Sequence, residues 1–345
     1  MLEKLVWSVS ATVDLLVATL FSFRRSSKLQ NKTGLKTVLF RIFSQSAEME
    51  DLVNLREKVL SYSLESSEME KLGYNRILLQ VCGQAGHGKS SFINSLRYAL
   101  LGGKFEDKAS EASATESHGG HTSQRKSYLL TDVITLVDNR GFGKADNYEK
   151  EEVYTQLGNL QPLDEDVVWR NSFDERMEAI TAVKCNSNDL LLPVFIYSAQ
   201  CGMSNESKEE IKEFLKNAQK LTGFLPIIIL TKRYLGDFRT LEQQFRDLGM
   251  ERIFPVENYT TKDHIKTPEK EKTFLSILSE ALDLVNFRGN TASSFGTPEE
   301  EHVKRVQMVL KIAQRNETER DKKKLRNKWD KEHEEKNKTK FCRFM

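Results

Sequence analysis

Between residues 71 and 290 the chain alternates short apolar runs with longer amphipathic stretches. The runs 76–82 (RILLQVC), 133–138 (VITLVD), 191–199 (LLPVFIYSA), 225–230 (LPIIIL) and 252–256 (RIFPV) have the length of buried strands. Segment 126–130 reads as a partner strand for 133–138. Residues 91–101 carry apolar side chains at helical spacing through Phe92, Leu96 and Leu100. Residues 205–221 do so through Ile211, Phe214, Leu215, Ala218 and Leu221. Segments 144–160, 237–248 and 268–285 read as further helices, 102–121 as a loop and 161–190 as an irregular insertion. Strand and helix in alternation predict an α/β fold with a mostly parallel sheet and helices on both faces.

The two ends carry different patterns. In 1–25, Leu2, Leu5, Val6, Val9, Val13, Leu16, Val17, Leu20 and Phe23 form one stripe, which predicts an amphipathic N-terminal helix. The run approaches the ~20 residues of a membrane span, but Asp14 at its centre would be costly there. A helix packed on protein, a helix lying in a membrane surface and a true span all remain open. Glu3 argues against a secretory signal, and Leu2 in place of Gly argues against N-myristoylation. Residues 26–70 read as a linker with helical character. At the other end, Thr297-Pro298-Glu299-Glu300 is a helix start. Val303, Val306, Met308, Val309 and Ile312 give a short apolar face, after which 291–345 is a long charged helical tail. The last four residues, Cys342-Arg343-Phe344-Met345, form a C-a-a-X box behind a lysine-rich stretch, so Cys342 is a candidate prenylation site. A prenyl chain and a basic run together suit an anionic membrane.

Composition narrows the classes. Charged residues make up 30%, yet the net charge is only +2, so overall charge does not draw the molecule to nucleic acid and local basic clusters have to be judged separately. The basic tail carries no RNA motif, which argues against nucleic acid as a partner. Cys82, Cys185, Cys201 and Cys342 are widely spaced and form no C-x-x-C pair, which argues against a disulfide framework or a zinc site.

The chemistry concentrates after the first apolar run. Gly83-Gln84-Ala85-Gly86-His87-Gly88-Lys89-Ser90 matches G-x-x-x-x-G-K-[ST] in full, and Ser91 opens the helix behind it. Such a loop points backbone amides at the phosphates of a nucleoside triphosphate. Lys89 would reach the β- and γ-phosphates and Ser90 would hold Mg²⁺. His87 reads as a solvent-facing side chain. Asp138-Asn139-Arg140-Gly141 is a D-x-x-G at the end of an apolar strand: Asp138 would hold Mg²⁺ through water and Gly141 would sense the γ-phosphate. Thr122 is the candidate third Mg²⁺ ligand and switch threonine, with Thr115, Ser117 and Ser123 as competitors. Phe142 stands where small GTPases carry a water-orienting glutamine, so unaided hydrolysis is expected to be slow.

Guanine readers use [NT]-K-x-D after a late strand. Here Thr231 and Lys232 fit, but Tyr234 occupies the aspartate position; Asp237, three residues late, is a possible replacement. Asn258 and Tyr259 follow the next strand, where a base-contacting loop with its backbone amides is expected.

Together these stretches resemble large, membrane-associated or interferon-inducible GTPases, and most closely the GTPase domain of the interferon-induced protein 44 family. The likeness rests on Gly-Lys-Ser-Ser-Phe-Ile-Asn-Ser-Leu (88–96), on Thr231-Lys232 and on Asn258-Tyr259 ahead of a C-terminal helix, and it covers 70–290. It implies a dynamin-type P-loop NTPase fold of the G-domain kind over 71–290. It also implies GTP and GDP as ligands, a slow or partner-dependent GTPase, and a link to innate immunity. Assembly into a homo-oligomer through the G domain is a further expectation. A base-indifferent NTPase and a pseudo-GTPase scaffold are the alternatives.

Overall fold

The computed structural model describes residues 47–109, 124–141, 147–168, 170, 172–182, 188–290 and 296–343. The chain divides into two compact units, 1–51 and 52–345. Of the first, residues 47–51 are described and are helical, so the apolar N-terminal stripe lies outside the described residues.

The second unit is α/β. It opens with helix α1 (52–60) and the short α2 (Glu68–Lys71). Then come β1 (Arg76–Gly83), α3 (Lys89–Leu101), β2 (Gln124–Leu129), β3 (Ile134–Asp138) and α4 (Asn147–Leu157). Next are β4 (Glu165–Asp166), α5 (Phe173–Ala182), β5 (Asp189–Ser198), α6 (Asn205–Thr222) and β6 (Ile227–Thr231). The unit ends with α7 (Phe238–Asp247), β7 (Ile253–Pro255), α8 (Pro268–Asn290) and α9 (Pro298–Arg343). The seven strands form one sheet in the order β4-β2-β3-β1-β5-β6-β7. β1, β3, β5, β6 and β7 run parallel, while β2 pairs antiparallel with both β3 and β4.

Every residue of β5 is buried, as a central strand covered on both faces requires. Its side chains sort by the period of two. Leu190, Leu192, Val194 and Ile196 enter one core, with Phe92 and Leu96 of α3 and Phe274 and Leu278 of α8. Phe195 and Tyr197 enter the other, with Phe214 of α6, Phe245 of α7 and Val309 and Ile312 of α9. Helices therefore cover both faces.

Helix ends follow local chemistry. Ser204 caps α6 by accepting from Ser207 N at 3.2 Å, and Gly223 ends it in the left-handed conformation at φ 78°. Thr297 and Glu300 cap α9 reciprocally: Thr297 N donates to Glu300 Oε2 at 2.9 Å and Glu300 N to Thr297 Oγ1 at 3.4 Å.

Two readings need correction. Segment 161–190 is not wholly irregular, since it holds β4 and α5. Val303 is 52% exposed, so the buried face of α9 starts later, at Arg305, Val309, Ile312 and Ala313. α9 packs against α4, α5 and α6.

Candidate nucleotide site

β1 ends at Gly83, and the chain turns through 84–88 before α3 begins at Lys89. Gly83 has φ 142°, and a Cβ there would overlap the Ile196 carbonyl oxygen of β5. Only glycine lets the strand end this close to its neighbour. Lys89 is buried, with Nζ donating to Gln84 O across its own loop at 3.0 Å. Burial pulls its pKa down while Asp138 pushes it back up.

β3 runs beside β1 with Val81 opposite Asp138, and this register brings the second motif to the first. Ser90 Oγ donates to Asp138 Oδ2 at 2.8 Å. Asp138 is buried and its other oxygen, Oδ1, has no partner. Burial raises its pKa against the opposing effect of Lys89 and the Ser90 hydrogen bond. Beyond it, a Cβ on Gly141 would overlap Lys89 Nζ and press on the Ala85 backbone at 3.1 Å, so a side chain here would have to displace the lysine. Lys89, Ser90, Asp138 and Gly141 thus meet at the carboxyl ends of adjacent parallel strands, the edge where open α/β sheets bind ligands.

The pair of oxygens suits a hard divalent cation. Among the described residues no group of three or more His, Cys, Asp or Glu could hold a metal. Ser90 and Asp138 supply two oxygens, and Mg²⁺ bound there would take its remaining ligands from phosphate and water, as it commonly does. Thr122 and Phe142 lie outside the described residues.

His87 departs from expectation, being 5% exposed. Its Nδ1 accepts from Ser198 N at 3.2 Å, its Nε2 lies 3.6 Å from Cys201 Sγ, and its ring meets Tyr197 edge-on. Burial, with Lys89 and Lys232 nearby, lowers its pKa from 6.5 to about 3. The imidazole is a neutral wedge that pins the loop to β5.

Thr231 and Lys232 also brace the loop. Thr231 Oγ1 donates to His87 O at 2.7 Å, and Lys232 Nζ reaches Gly86 O at 3.4 Å and Gln200 Oε1 at 3.3 Å. Asn258 Nδ2 donates to Gly88 O at 3.2 Å, leaving Oδ1 buried and unpartnered.

The base side differs from a guanine reader. Tyr234 is 71% exposed, its ring under the Arg233 guanidinium at 4.8 Å. Asp237 does not replace the missing aspartate: it caps α7, accepting from Thr240 N at 3.1 Å and Thr240 Oγ1 at 2.6 Å. Tyr259 is corrected from site to core, buried against Tyr98 and Phe274. Its amide donates to Ser95 Oγ at 2.8 Å, and the Thr260 amide to Asp263 O at 2.8 Å. The amides of Tyr259 and Thr260 are thus spent within the protein.

Sequence reading overlooked the residues that hold this frame. Asn94 grips the chain at 107–109, donating to Asp107 Oδ1 and Ala109 O and accepting from the amides of Lys108 and Ala109. Behind Asp138, fully buried Arg125 donates to Asn139 Oδ1 at 3.0 Å, Gln80 Oε1 at 3.2 Å, Asn159 Oδ1 at 2.9 Å and Gln161 O. Arg140 N donates to Gln156 Oε1 of α4 at 2.8 Å. One signal was available: Gln80 is a lone amide inside the apolar run of β1, and a polar group there needs partners.

Compared with known proteins, the chain matches no family model and no curated protein.

Proposed function

We propose that the chain binds GTP with Mg²⁺ and is a slow GTPase, serving as a nucleotide-dependent switch or assembly protein at a cytosolic membrane face. The observation that carries this reading is the convergence of Lys89, Ser90 and Gly141 on Asp138, whose Oδ1 is buried without a partner. In this reading the amides of 84–90 take the phosphates, Lys89 contacts the β- and γ-phosphates, and Ser90 and Asp138 hold Mg²⁺. Bound there, Mg²⁺ would offset phosphate charge. Gly141, tight against Lys89, would respond to the γ-phosphate. The G-domain assignment, the likeness to the interferon-induced protein 44 family, the link to innate immunity, assembly through the G domain and prenylation at Cys342 belong to the same proposal.

A second reading has its own support. Tyr234 is exposed, Asp237 is committed to a cap and the amides of Tyr259 and Thr260 are engaged, which weakens the case for a guanine reader. A base-indifferent NTPase or a pseudo-GTPase scaffold would have this site.

Fluorescent GTP and ATP analogues titrated with Mg²⁺, followed by phosphate release in the same samples, separate the two. GTP preference with measurable release supports the first. Equal displacement by ATP, or release at background, supports the second. Lys89→Ala should weaken nucleotide binding at least a hundredfold, on the order of 3 kcal/mol for charge-assisted phosphate contacts. Unchanged affinity in a variant that melts like the parent would sink the phosphate site itself.

A further inference from the structure

α6 and α9 lie side by side and leave a groove of about 740 Å³ between them. Its walls carry Lys220 from α6 and Lys304, Lys311 and Arg315 from α9, with Asn217 and Gln314 among the neutral donors. The floor is apolar, with Met308 and Ile312. The lining contains no carboxylate residue. Lys304 pairs with Glu301 at 2.7 Å and Arg315 with Glu213 at 2.6 Å, from outside the groove. Exposed pairs of this kind are weak and leave the cations able to turn to a stronger anion.

The same stripe of α9 continues past the groove. Steps of three and four residues lead from Arg315 through Thr318 and Lys322 to Leu325 and Trp329, which share one helix face. Leu325 is 68% exposed and Trp329 58% exposed. Every residue from 321 to 331 is exposed, so no other part of the described chain covers this surface. Lys322 pairs with Glu319 at 3.1 Å, again on the surface.

We infer that this face of α9, with its groove, is a docking surface for a membrane bearing anionic, phosphorylated lipid headgroups. The groove takes a headgroup phosphate among Lys220, Lys304, Lys311 and Arg315, while Leu325 and Trp329 enter the interfacial layer. Two observations choose a bilayer over a nucleic acid: an apolar floor between the cations, and an aliphatic and an indole side chain exposed in line with them. The inference deepens the membrane part of the proposed function and does not rest on nucleotide binding. It assigns the contact to the folded α6–α9 groove rather than to a lipid on Cys342.

The test uses the full chain carrying Cys342→Ser, so that no lipid anchor contributes. It is sedimented with vesicles of phosphatidylcholine alone, and with vesicles also containing phosphatidylserine or a phosphoinositide. The expected result is binding only to the anionic vesicles, with salt-dependent release. Each cation removed should cost about five-fold in affinity, so Lys220→Glu/Lys311→Glu should lose at least about 25-fold. In a Trp7→Phe/Trp169→Phe background, a blue shift of tryptophan emission on binding should appear and then vanish when Trp329→Phe is added. Absence of binding to anionic vesicles, an unaffected double variant, or tighter binding to duplex RNA than to vesicles would each overturn the assignment. Soluble inositol phosphate that binds while vesicles do not would overturn the membrane as its source. GTP-analogue binding measured in the same samples tells the failures apart: nucleotide bound without vesicles removes this inference alone, and vesicles bound without nucleotide remove the switch alone.

Discussion

His87 is an imidazole placed where a glycine-rich loop needs mainly backbone, and its environment fixes its charge. Burial beside Lys89 and Lys232 favours the neutral ring, so folding releases a proton that the unfolded chain would hold below pH 6.5. Because the folded pKa is depressed to about 3, the stability this residue contributes is present above pH 6.5 and is lost as the pH falls toward 3. Asparagine can keep an acceptor near Nδ1 without titrating. Urea melts at pH 7 and pH 5 should show the parent losing up to ~1.4 kcal/mol per pH unit more than His87→Asn. Parallel losses would mean that the ring protonates without cost. The residue-scale site was readable where a role depends on the motif alone, as for Lys89, Ser90 and Asp138. It was not readable where a role depends on what folds nearby. Nothing in the sequence places Ser198 beside His87, and Asn94 acquires its four hydrogen bonds only when 107–109 returns over α3. Asp237 stands one residue before α7, and only the fold shows that it caps that helix rather than reaching a base.

At the scale of elements, the D-x-x-G segment and the tail are both tied to α4. Arg140 N reaches Gln156, one turn from Glu151 and Glu152. Those two carboxylates are buried; burial raises their pKa and arginines pull it back. Glu151 pairs with Arg176 of α5, and also with Arg320 of α9 at 3.0 Å, where Asn316 Nδ2 adds a bond at 2.8 Å. Arg320→Met should cost about 3 kcal/mol, since removing one partner leaves a buried charge underpaired. In a cycle with Glu151→Gln, the coupling should be about 1–3 kcal/mol. Additive losses in thermal melts would mean the two side chains act separately. α9 was legible from its capping residues and its run of charge, and the strands from their apolar runs. α5 was not, because it is short and, of its spaced apolar residues Phe173, Met177 and Ile180, only Ile180 is buried, beside the charged Arg176. β4, two residues long, is below what any pattern can mark.

For the whole molecule, binding a ligand only in the folded state raises stability by mass action. GTP with Mg²⁺ at a hundred times Kd should add about 2.7 kcal/mol and raise Tm by about 5 °C for a unit of this size. Asp138→Asn should lose the part of that rise that depends on Mg²⁺. A melting temperature indifferent to nucleotide in calorimetry would remove the ligand, whatever the loop looks like. The paired charges around Glu151 also have a consequence for descent. One carboxylate joins positions 151, 176 and 320, which lie far apart along the chain but share one buried site. A change at any one exposes the others to an unbalanced charge, so in related chains these positions should vary together. A lineage that lost the last helix before Arg320 would leave Glu151 to Arg176 alone, so there positions 151 and 176 should keep or lose their charges as a pair.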